Sequence, residues 1–151
     1  MSIPPGEPAP DFTLADQDGS PITLSALWKR GPVILFFYPK DDTMGCTAEA
    51  CAFRDAYEEF QKAGATVVGI SSQGTASKKS FATKNRLPFT LLADTGGQVR
   101  RLYQVKPSLL GLLDGRETVV IDAAGIVRHG FNSQVNATKH VSEALDVLRR
   151  L

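Results

Sequence analysis

Three features of this 151-residue chain predict an α/β fold built on a central mixed sheet. Two apolar runs without alternation, Val33–Tyr38 and Ala65–Ser71, read as strands buried on both faces. Stretches with apolar residues at three- and four-residue spacing lie between and after them and read as helices. A stretch near the N-terminus, with apolar residues flanking a turn, adds a β-hairpin.

Taken in order, Pro4-Pro5-Gly6-Glu7-Pro8 is an extended entry. Phe12–Leu14 and Ile22–Leu24 flank the turn Asp18-Gly19-Ser20-Pro21 and form the N-terminal hairpin. Val33–Tyr38 is a buried strand. Cys46–Gly64 follows as a helix, with Ala50, Phe53, Tyr57 and Phe60 on one face and Gly64 as its stop. Ala65–Ser71 is the next strand, and Ser77–Arg86 a short helix that ends before Pro88. Phe89–Ala93 is a strand and Gly97–Gln104 a helical turn or two. Glu117–Asp122 and Ile126–His129 pair through Ala123-Ala124-Gly125. Ala137–Leu151 closes as an amphipathic helix with Val141, Leu145, Leu148 and Leu151 on one side. This succession places a central mixed sheet between helices on both faces, a thioredoxin-like architecture, with residues 1–151 as a single domain. In open α/β sheets sites form beyond the carboxyl ends of strands, here where Val33–Tyr38 meets the helix at Cys46.

Composition narrows the function. Net charge is +1 with both signs scattered, so neither a basic stripe for nucleic acid nor an acidic tail is present. No apolar run approaches the ~18 residues of a membrane span. The opening Met1–Pro8 lacks the charged and apolar regions of a signal peptide. Two cysteines are too few for a disulfide framework. The reading is a soluble cytoplasmic protein, or an organellar stromal one after removal of a presequence, whose cysteines do chemistry.

Those cysteines are Cys46 and Cys51, at the start of the helix that follows the first buried strand. A cysteine on the first turn of a helix faces unpaired N–H groups and the positive end of the dipole, which favour thiolate. Around it stand Pro39 and Thr43, in the pattern Pro-x-x-x-Thr-x-x-Cys. Reduction of a peroxide by a thiolate needs an ionised sulfur, an aligned O–O bond and stabilisation of the departing oxygen. Cys46 supplies the sulfur. Thr43 can turn its hydroxyl to a bound oxygen. Backbone N–H groups of Gly45 and Cys46 can point into the same pocket, and Pro39 can shield it from water. Glu49, one turn on, can hold an arginine. Two arginines compete for the cationic place, Arg54 and Arg116. Each residue also has a plainer reading: Thr43 as a helix cap, Glu49 as a dipole complement, the arginines as surface charges.

Cys51 suits a second step. Residues five apart on an intact α-helix have Cα atoms roughly 8–9 Å apart, and a disulfide wants less than ~7 Å. A bond between Cys46 and Cys51 therefore requires the first turns to unwind.

The residues Phe37, Tyr38, Pro39, Thr43, Gly45, Cys46, Thr47, Glu49, Cys51, Phe53, Arg54 and Asp55 together resemble the peroxiredoxin family, in its peroxiredoxin Q or bacterioferritin comigratory protein subfamily. Pro8–Leu14, Leu87–Asp94 and Gly115–Asp122 are similar to further stretches of that family, so the resemblance runs over almost the whole chain. Leu109–Gly115 is more similar to plant and cyanobacterial members than to many other bacterial ones. The resemblance implies Cys46 as peroxidatic and Cys51 as resolving cysteine, joined in an intramolecular disulfide. It implies Thr43 and Arg116 as the peroxide-binding pair, Pro39 as shield, Glu49 as the residue orienting an arginine, and Arg54 as a supporting residue. It also implies an antioxidant enzyme that reduces hydrogen peroxide and organic hydroperoxides, is regenerated by thioredoxin or a similar dithiol, uses no cofactor or metal, and is a monomer, with a dimer as the alternative. One position departs from the pattern: Met44 stands where the subfamily has proline. Methionine restores an N–H and adds an oxidisable side chain.

Two other readings fit less well. A disulfide reductase of the thioredoxin kind needs Cys-x-x-Cys, whose second sulfur closes without unwinding. A zinc site would need His129 and His140 beside the two cysteines, and both lie far away in sequence.

Overall fold

The computed structural model describes residues 3–107, 115–132 and 139–151. Its elements run β1 (Thr13–Asp16), β2 (Pro21–Thr23), α1 (Leu24–Trp28), β3 (Val33–Phe37), α2 (Met44–Asp55), α3 (Tyr57–Lys62), β4 (Thr66–Ser71), α4 (Thr75–Lys84), β5 (Thr90–Ala93), α5 (Gln98–Leu102), β6 (Glu117–Ile121), β7 (Val127–Asn132) and α6 (Lys139–Arg149). One sheet joins the strands in the order β2-β1-β5-β4-β3-β6-β7. β3 pairs in parallel with β4, and β4 with β5, while β6 and β7 add antiparallel on one side and β1 and β2 on the other. The sheet is mixed and helices cover both faces, as the order of segments predicts.

Alternation within β3 explains why both faces are apolar. Ile34, Phe36 and Tyr38 enter one core with Ala50, Phe53, Phe60, Val141 and Leu148. Val33, Leu35 and Phe37 enter the other with Leu24, Leu27, Val99 and Tyr103. Side chains at successive strand positions point to opposite faces, so an unbroken apolar run serves two cores at once.

Three differences from the sequence reading have local causes. The long helix after β3 is two helices, because Ala56 leaves helical geometry (φ −94°, ψ 4°). A straight helix drifts ~20° per heptad, and the break keeps Phe53 and Phe60 in one core, with ring centroids 5.6 Å apart. Second, Leu24 does not extend the hairpin but starts α1, a five-residue helix that buries only Leu24 and Leu27, too few positions to show a period. Third, Leu151 is exposed, and the inner face of α6 is His140, Val141, Ala144, Val147 and Leu148. Residues 108–114, with most of the plant-like stretch, and the start of the last helix at 137–138 lie outside the described residues.

Gly64 stops α3 as read. Its φ is +74°, with Gly64 N–H donating to the Gln61 carbonyl at 2.9 Å and Ala65 N–H to the Phe60 carbonyl at 3.0 Å. Both contacts are those of a Schellman turn. Gly31 (φ +147°) is more constrained, since a Cβ there would lie 2.3 Å from the Gly64 carbonyl oxygen. Gly64→Ala is therefore expected to cost about 1 kcal/mol, and Gly31→Ala distinctly more. Urea unfolding of the reduced protein measures both, and the reverse order would contradict this packing.

Candidate active site

The last ladder partners of β3 and β6 are Phe37 and Glu117. Beyond them the chain diverges: Tyr38 and Pro39 lead toward α2, and Arg116 precedes β6. The site lies in that cleft.

α2 starts at Met44, two residues earlier than read, with Thr43 as its N-cap in extended conformation (φ −83°, ψ 155°). Cys46 N–H donates to Thr43 Oγ1 at 3.4 Å, and Thr43 Oγ1 donates to the Lys40 carbonyl at 3.1 Å. The plainer reading of Thr43, a cap, describes it in this structure, and the Cys46 N–H is turned to that hydroxyl. Gly45 is the second residue of the helix. Pro39 is half-buried. Met44 is 91% exposed, so it stands in solvent at the head of the helix.

The sulfur of Cys46 lies 3.3 Å from Arg116 Nη2, and Arg116 Nη1 lies 2.6 Å from Glu49 Oε1. All three residues are buried. An ion pair out of water is tolerated only when its charges answer each other. Burial works against the Arg116 charge, but Glu49 and Cys46 outweigh it and hold the guanidinium above its ordinary range. Burial pushes the Glu49 carboxyl up to about 8, against the pull of Arg116. Behind Glu49 stands His140 of α6, with Nδ1 3.4 Å from Glu49 Oε2 and 2.7 Å from Thr118 Oγ1.

Arg54 does not join this group. Its Nη1 donates to the Asn85 carbonyl at 2.8 Å and its guanidinium pairs with Asp55 at 3.0 Å. Cys51 faces the same way, its Sγ 3.8 Å from Asn85 Oδ1. Cys46 and Cys51 are both free thiols on one unbroken helix, and they look toward different neighbours.

Residues 5–130 match the AhpC/TSA family. The chain belongs to that family, as a peroxiredoxin of the Q group. It is 51% identical over 146 residues to a chloroplastic peroxiredoxin Q of Triticum aestivum, covering 97% of this chain and 67% of the relative. The peroxidoxin BcpB of Mycobacterium tuberculosis superposes with a TM-score of 0.91 at 41% identity, covering 100% of this chain and 98% of that one. A bacterioferritin comigratory protein of Xanthomonas campestris, whose structures bear on alkyl peroxide reduction, does so with a TM-score of 0.83 at 28% identity, over 92% and 90% of the two chains. Like other peroxiredoxins, this one is a thiol peroxidase.

Two parts of this peroxiredoxin's site escape sequence reasoning. Of the two places open to His140, surface or packed, the structure takes the second, and what the sequence does not announce is that it packs against Glu49. The second part is a buried cluster under the loop before α2. Lys78 Nζ lies 3.1 and 3.2 Å from the Asp41 oxygens, which also accept from Tyr38 OH at 2.5 Å and Ser77 Oγ at 2.6 Å. Lys78 Nζ also donates to Ser71 Oγ. Burial lowers the Lys78 amine from its usual value, partly offset by Asp41. The only sequence signal for either was a polar residue at a position of core spacing.

Glu49 sets a pH dependence of stability. Unfolded, it titrates near the ordinary 4.5; folded, near 8. Between those values the folded state binds more protons, so stability falls as pH rises, by up to about 1.4 kcal/mol per unit. Glu49→Gln is expected to flatten that decline between pH 5.5 and 7.5 in urea unfolding of the reduced protein. Parallel profiles for the two proteins would contradict it.

Proposed function

We propose that Cys46 is the sulfur that meets peroxide, with Arg116 and Thr43 as the groups that bind it. The observation that carries this reading is the Arg116 fork, 3.3 Å from Cys46 Sγ and 2.6 Å from Glu49. One guanidinium nitrogen beside the sulfur favours negative charge there and can move to the departing oxygen as charge develops on it. Glu49 holds the fork in orientation, and the Thr43 hydroxyl turns from its capping bond to the peroxide. Pro39 shields the sulfur from water. In the reaction the Cys46 sulfur forms an S–O bond as the O–O bond breaks. The other oxygen leaves as water or alcohol with the proton given up by the thiol, and Cys46 becomes a sulfenic acid.

Cys51 then displaces water from that sulfenic acid and closes a disulfide within the chain. On the helix as it stands the two Cα atoms are roughly 8–9 Å apart, so α2 has to open. The contacts that must release are those on Asn85, which receives both Cys51 and Arg54. Arg54 thus supports the cycle as a clasp between α2 and α4, not as a ligand of the peroxide. An external dithiol, thioredoxin by family resemblance, reduces the disulfide. The cycle needs no metal, haem or flavin, because sulfur carries both electrons. Hydrogen peroxide and organic hydroperoxides are both substrates in this reading, and the alkyl peroxide reduction of the Xanthomonas campestris relative supports the second class. We place the protein as a single-domain monomer in cytoplasm or, following its chloroplastic plant relatives, in an organellar stroma.

NADPH consumption coupled through thioredoxin reductase and thioredoxin tests the assignment. Cys46→Ser is expected to lose turnover. Cys51→Ser is expected to fail under thioredoxin while still reducing one equivalent of peroxide. Full activity in Cys46→Ser would overturn the reading. Hydrogen exchange checks the opening: amides of residues 44–55 are expected to lose protection in the disulfide form, and equal protection in both forms would contradict it.

A further inference from the structure

Past Phe37 and Glu117 the sheet no longer spaces the two halves of the site, because the β3–β6 ladder ends at that pair. A buried side chain spans the gap. Arg100 of α5 is 6% exposed, so its donors must be met inside the protein. Its Nη2 donates to the Tyr38 carbonyl at 2.8 Å and its Nη1 to the Gly115 carbonyl at 2.5 Å. These carbonyls belong to the peptide bonds that enter Pro39 and Arg116. We propose that Arg100 is a positioning residue for peroxide reduction, its guanidinium tying the peptide before Pro39 to the peptide before Arg116 and so setting the distance between Arg116 and Cys46. The proposal rests on the reading of Cys46 and Arg116 given above.

The surroundings hold Arg100 to that task. Its guanidinium carbon sits 5.7 Å from the centre of the Phe37 ring. The Asp94 carboxylate, buried just after β5, accepts from the N–H of Val99 at 3.0 Å and of Arg100 at 2.9 Å, which fixes the start of α5. On the far side, a Cβ at Gly115 would come within 1.7 Å of the Lys106 carbonyl oxygen, so the chain there is pressed against its neighbour. The next residue along α5, Arg101, is exposed and turns instead to the Gly96 carbonyl at 2.8 Å. Lysine cannot replace Arg100, because a point charge lacks the planar fork that serves two acceptors. A shift of the Arg116 peptide on the order of 1 Å is enough to slow chemistry by as much as about a hundredfold.

The test is stopped-flow oxidation by hydrogen peroxide, with the pH profile of Cys46 alkylation, in Arg100→Lys and Arg101→Lys on a Cys51→Ser background. The peroxide rate is expected to fall about tenfold or more in Arg100→Lys, with the alkylation profile displaced to higher pH. Arg101→Lys is expected to match its parent. In an Arg116→Lys background, Arg100→Lys is expected to change little further, because the residue it positions is gone. An unchanged rate and profile in Arg100→Lys, or losses that simply multiply, would overturn the proposal. If Arg100→Lys does not fold, Asp94→Asn loosens the same side chain. It is expected to move both readouts in the same direction, and no movement would overturn the proposal. Cys46→Ser that still consumes peroxide would sink the underlying assignment instead; an inactive Cys46→Ser beside an unaffected Arg100→Lys would sink only this inference.

Discussion

A buried arginine must be answered by something anionic, and the layout around Cys46 follows from that. Arg116 sits almost wholly out of water, where an unpaired guanidinium would cost several kcal/mol. Glu49 and the Cys46 sulfur lie against two of its nitrogens, the carboxyl contributing its full negative charge only as pH rises past about 8. The requirement works in both directions: what keeps Arg116 charged also keeps a cation beside the sulfur. His140 Nδ1 stands 3.4 Å from the second oxygen of Glu49, which brings α6 against the buried carboxyl of α2.

The same helix carries two sulfurs with opposite needs. Cys46 is held in the cleft by the Thr43 cap and Arg116. Cys51 is held five residues on, against Asn85. A helix that presents the first sulfur well keeps the second out of bonding range. In the cycle proposed above, peroxide reduction and disulfide closure would use two conformations of this segment, and the Arg54–Asn85 hydrogen bond is one contact the opening would break.

The fold was largely legible because its core strands are unbroken apolar runs and its turns carry glycine at positive φ, as at Gly64. That Cys46, Glu49 and Arg116 could stand together was legible from their residue types and spacing, and the structure groups them, although the choice between Arg54 and Arg116 needed the family likeness. What remained hidden depends on contacts between distant segments. His140 lies 91 residues from Glu49, and its core spacing on α6 is the one local sign that it faces inward. Lys78 looks like any surface lysine until Asp41, Ser71 and Tyr38 are seen to enclose it. The α2–α3 break at Ala56 carries no glycine or proline to announce it.

In the proposed reaction the Arg116 fork, not charge alone, accelerates attack of Cys46 on peroxide. The direct measurement is the pre-steady-state rate of hydrogen peroxide reduction by Arg116→Lys, compared with its rate of alkylation by iodoacetamide. Loss of a donor aimed at developing charge costs about 10²–10³ in rate. A fall of that order is expected toward peroxide and a clearly smaller one toward iodoacetamide. Equal losses toward both reagents, or a peroxide rate close to that of the unaltered protein, would contradict it.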